Sequence, residues 1–66
     1  MFYQVSEKGQ VIGKHNARRE AFKAVAVDLD HRTVSSVKYE GTVLKTIHTF
    51  SRGEVEDGLR KFQVRV

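Results

Sequence analysis

At 66 residues, with a net charge of +4 and no cysteine, the chain can enclose one small core but no disulfide or thiolate zinc site. Its 39% hydrophobic content is low for a globular domain yet well above that of a disordered tail. No apolar run reaches the roughly 18 residues of a membrane span, and no basic-then-apolar leader opens the chain, so a cytoplasmic protein without membrane contact is expected.

Phe2 to Val5 reads as a strand, Glu7-Lys8-Gly9 as a turn and Gln10 to Lys14 as a returning strand, with Gly13 at a bulge. Asn16 is a suitable N-cap for a helix from Ala17 to about Leu29, where Phe22, Val25, Ala26 and Leu29 form one apolar stripe. Asp28-Leu29-Asp30-His31 ends it. Thr33 to Tyr39 and Thr42 to Phe50 are rich in β-branched and aromatic residues and read as strands joined at Tyr39-Glu40-Gly41-Thr42. Ser51 to Gly58 carries acids and glycines and reads as a loop. Lys61 to Val66 alternates as a half-buried strand with a basic outer face. A rival signal is the capping box Ser51-Arg52-Gly53-Glu54 followed by helically spaced Val55, Leu59 and Phe62. Gly53 and Gly58 would each weaken that helix by about 1 kcal/mol, which favours loop then strand. The expected fold is α+β: ββαβββ, an antiparallel sheet with one helix packed on one face. It forms a single small domain, 1–66, which reads as a complete small gene product.

The most informative cluster is Lys14, Asn16, Arg18 and Arg19. Arginines in the first turn oppose the helix dipole, but they gather positive charge beside free N–H donors, where an anionic partner could dock. A solvated turn whose arginines pair with Glu20 is the plainer alternative. A second basic arm, Arg60, Lys61 and Arg65, could track phosphates, with Tyr3 or Tyr39 stacking on bases if exposed. The recognised aromatic motif of RNA-binding sheets is absent.

Other chemistry finds no support. Asp28, Asp30 and His31 have metal-capable atoms but no second cluster at ligand spacing. Gly9 to Lys14 is one residue short of a phosphate loop, and His15 stands where a magnesium-binding hydroxyl belongs. No nucleophile elbow or carboxylate pair appears, and no cofactor is implied.

Two segments, Gly41-Thr42-Val43-Leu44-Lys45 and Glu56-Asp57-Gly58-Leu59-Arg60-Lys61, taken with the layout of a sheet and a single helix, carry a resemblance. In these the chain resembles small phage-encoded inhibitor proteins of the anti-CRISPR kind. The resemblance implies docking on an acidic protein or nucleoprotein target; the positive charge departs from the acidic DNA mimics of that group. The expectation is therefore a non-enzymatic binding protein, inhibitor or adaptor, with nucleic-acid binding through Lys and Arg as the alternative. So small a core leaves sheet edge to cover, which suits a homodimer.

Overall fold

A computed structural model describes residues 1–63. The element order is β1 (Phe2–Glu7), β2 (Gln10–His15), α1 (Arg18–Ala26), β3 (Arg32–Glu40), β4 (Val43–Phe50) and α2 (Arg52–Gln63). The α+β class and the antiparallel sheet agree with the sequence, but the order is ββαββα, with two helices and four strands. The sheet runs β2-β1-β3-β4 and every pairing is antiparallel.

Each hairpin closes on the residues its turn needs. At Lys8-Gly9 both residues have positive φ, 52° and 83°, the pattern of a type I′ turn that matches strand twist. Gly41 supplies the positive φ, 64°, in the β3–β4 turn. Both hairpins also carry a bulge. The β1–β2 register passes from Val5↔Gly13 to Ser6↔Val11 with Ile12 extra, and the β3–β4 register from Ser36↔His48 to Val37↔Thr46 with Ile47 extra.

Helix α1 is shorter than its apolar stripe suggests. Ala17, extended at φ −103° and ψ 133°, occupies the N-cap position without a side-chain hydrogen bond, so Asn16 is not the cap. At the other end the Asp28 N–H donates to the Val25 carbonyl (3.0 Å), and the Asp28 carbonyl accepts from the N–H groups of His31 and Arg32. These bonds turn the chain out of the helix before Leu29, which still packs against the core from the turn.

The second correction concerns the segment after β4. The expected loop at 51–58 and the start of the expected strand at 61–66 form α2, while Val64, Arg65 and Val66 lie outside the described residues. The capping box is made: the Ser51 N–H donates to Glu54 Oε1 (3.0 Å), and the Glu54 N–H donates to Ser51 Oγ (3.2 Å). What offsets the two glycines is burial. Val55 is buried, Leu59 and Phe62 pack on the core, and Gly58 lets α2 approach Phe22 so closely that a Cβ there would overlap the ring.

Both helices lie on one face of the sheet. Beneath them Tyr3, Val5 and Val34 meet Ala21, Phe22 and Val25 of α1 and Val55 of α2. Phe22 stacks edge-on against Phe50 (5.2 Å) and tilts against Phe62 (6.1 Å). Arg32 ties the layers together: its Nε donates to Glu7 Oε1 and its Nη1 to the Ala24 carbonyl, both at 2.8 Å.

Candidate functional site

The helices run antiparallel, because Phe62 in the last turn of α2 meets Arg19 and Phe22 of α1, while Arg52 at its start reaches Asp30 beyond the end of α1. This arrangement resolves the unfavourable placement of Arg18 and Arg19. They stand at the positive end of their own helix but beside the negative end of its neighbour, where cations are favoured. Neither pairs with Glu20. Arg18 lies over the rings of Tyr3 (5.9 Å) and Phe50 (5.3 Å), and Arg19 over Phe62 (6.0 Å). Such contacts orient a guanidinium while leaving its N–H groups available to solvent or an anion.

Between the two helices opens a cleft of about 270 Å³ with Phe22, Phe50 and Phe62 as its apolar lining and Gly58 in its wall. Arg18 and Lys61 supply cations at its rim, opposed by Glu54 and Asp57. Glu54 is engaged: besides the capping box, its Oε2 meets His48 Nε2 at 2.9 Å. The Ser51 backbone N–H, assisted by His48, holds its carboxyl below the ordinary range. Asp57 is paired with Arg60.

The basic residues singled out from sequence therefore divide. Arg18, Arg19 and Lys61 gather where α1 begins and α2 ends. Arg60, on α2, is neutralised by Asp57. Lys14 points to the opposite face of the sheet, 5.5 Å from the centre of the Phe2 ring. Asn16 is exposed in the bend before α1. Arg65 lies outside the described residues. Among the described residues Lys14, Arg18, Arg19 and Lys61 enter no ion pair, whereas Arg32, Lys38, Lys45, Arg52 and Arg60 each do.

The Asp28–His31 pair is local turn chemistry. His31 Nδ1 lies 2.9 Å from Asp28 Oδ2, and this hydrogen bond lowers the carboxyl and raises the imidazole from their ordinary values. Asp30 turns away to Arg52. Sequence reasoning did not single out Phe2, which shares the open face of the sheet with Tyr39; that grouping depends on the β1–β3 register.

Among the described residues no helix is long and apolar enough to cross a membrane. The chain matches no family model, no curated protein and no solved structure.

Proposed function

We propose that this protein is a non-enzymatic binding module that docks its basic end, Arg18, Arg19 and Lys61, on an acidic protein or nucleoprotein partner. One observation carries the reading: these cations have no carboxylate partner among the described residues, and both arginines are held over aromatic rings instead. Cations already oriented lose less entropy on meeting an anion, and they steer its approach. Inhibitor or adaptor action, as the resemblance to phage inhibitors implies, would follow from covering an acidic surface that another ligand uses. The test is affinity capture with the double variant Arg18→Glu, Arg19→Glu beside the wild type, both checked for equal helicity. Capture that falls with the variant is expected, and undiminished capture removes the basic end from the interface.

A second reading, nucleic-acid binding, is favoured by a different surface, the sheet face that neither helix covers.

A further inference from the structure

The strand registers place Phe2 of β1 and Tyr39 of β3 on the open face of the sheet, on its two central strands. Their ring centres are 6.0 Å apart with planes inclined at 38°. Val37 opposes Phe2 across the strands and is 1% exposed although no helix covers it, so the rings rest on a packed base. Tyr39 itself is 58% exposed. Lys14 holds its ammonium 5.5 Å from the Phe2 ring centre. Around them lie uncharged hydrogen-bonding groups: Gln4 pairs in register with Lys14 and Ser35, and Ser35 Oγ meets Thr49 Oγ1 at 3.0 Å.

The charge distribution is one-sided. Of the chain's eight acidic side chains, Glu20, Glu54, Glu56 and Asp57 are on the helices, and Asp28 and Asp30 are in the turn after α1. Glu7 bonds Arg32, which reaches into α1, and Glu40 shares the helix-side parity of Val34 and Ser36. Among the described residues the open face therefore carries no carboxylate, and Lys14 gives it positive charge. A face made for a second copy of the chain would shed lysine along with the acids, since apolar contact penalises burial of either charge. A polyanion with flat apolar rings selects by sign: phosphates are repelled by carboxylates and drawn to Lys14, while exposed aromatics accept any base by stacking.

We infer that the open sheet face is a stacking platform for single-stranded nucleic acid, with Tyr39 and Phe2 taking neighbouring bases and Lys14 the intervening phosphate. A duplex keeps its bases stacked on one another and cannot offer them to the rings. This inference is independent of docking through the basic end, since Phe2 and Tyr39 are on the face opposite Arg18 and Arg19.

The probe is a fluorescein-labelled oligothymidine or oligouridine of about 12 nucleotides, titrated by anisotropy at ~50 and ~200 mM salt against a duplex of equal length. The single strands should bind more tightly than the duplex, and more weakly at the higher salt. Tyr39→Ala should weaken single-strand binding about tenfold, the loss of one stacked base, while Tyr39→Phe stays within about twofold. Arg18→Glu with Arg19→Glu should retain most of the preference for single strands. The proposal is overturned by absence of binding at ~50 mM salt. It is overturned equally by Tyr39→Ala binding as the wild type does, or by the arginine variant alone abolishing binding, which would place the contact at the basic end. Sedimentation provides the remaining arm: a wild-type dimer that Tyr39→Ala dissociates would make a second copy the occupant of this face.

Discussion

The two glycines of α2 should respond to alanine with opposite signs. In a helix interior, replacing glycine by alanine gains about 0.5–1 kcal/mol from backbone entropy alone. At Gly53, in the first turn, an added methyl would meet nothing closer than Ser51 Oγ at 4.0 Å, so Gly53→Ala should stabilise by about 0.5 kcal/mol. At Gly58 the methyl would overlap Phe22 Cε2 and stand 2.6 Å from Cδ2. Phe22 is 2% exposed and wedged against Phe50 and Phe62, so the ring can yield only by giving up those contacts or by moving into the cleft. Overpacking of this kind costs about 1–3 kcal/mol, and the propensity gain offsets less than half of the upper figure. Gly58→Ala should therefore lose up to about 2 kcal/mol net, a fall in Tm of at most roughly 8–16 °C for a domain this small, against a rise of a few degrees for Gly53→Ala. Thermal melts followed by circular dichroism measure both. If Gly58→Ala melted as high as Gly53→Ala, α2 would not be pressed against Phe22 and the close-approach argument would fail.

Arg32→Ala should cost about 1.5–3 kcal/mol in urea unfolding, because it removes a charged hydrogen bond from Glu7 and leaves the Ala24 carbonyl without its donor. Arg52→Ala, which breaks only the exposed pair with Asp30, should cost less than about 1 kcal/mol. Equal losses would show that Arg32 does not bridge the layers. The folded state holds the Glu54 carboxyl below its ordinary value, so its contribution is present above about pH 4.3 and is lost as pH falls through the lowered folded value. His31 is raised by Asp28, so its contribution is complete below about pH 6.5 and disappears as pH rises through the raised folded value. Glu54→Gln should flatten the acid limb of the Tm–pH curve and His31→Gln the limb that begins above about pH 6.5; limbs unchanged by these substitutions would assign the pH dependence to other groups.

Local pattern was enough for both hairpins. β-Branched and aromatic content marks the strands, and turn glycines at 9 and 41 provide positive φ where the loops reverse. It was enough, too, for the existence of α1 and for its core residues Phe22 and Val25. Local chemistry misplaced its ends, because a free Asn16 suits a cap in isolation and the turn bonds around Asp28 compete with another helical turn.

The segment after β4 carried two periods at once. Phe62, Val64 and Val66 alternate, while Val55, Leu59 and Phe62 share a helical face. Propensity argued against helix because of Gly53 and Gly58, yet Gly58 is what allows the helix to seat on Phe22, 36 residues earlier. Such a contact is invisible to a local window. The grouping of charges was hidden for the same reason. Composition establishes a basic chain, but antiparallel packing of α1 on α2 brings Arg18, Arg19 and Lys61 together, and strand register collects Phe2, Tyr39 and Lys14 on a face without carboxylates among the described residues. The sequence by itself determined the elements whose stability is local, the hairpins and the first helix. The identity of the last element and the membership of each surface were decided by tertiary packing, because both depend on residues that meet only when distant segments fold together.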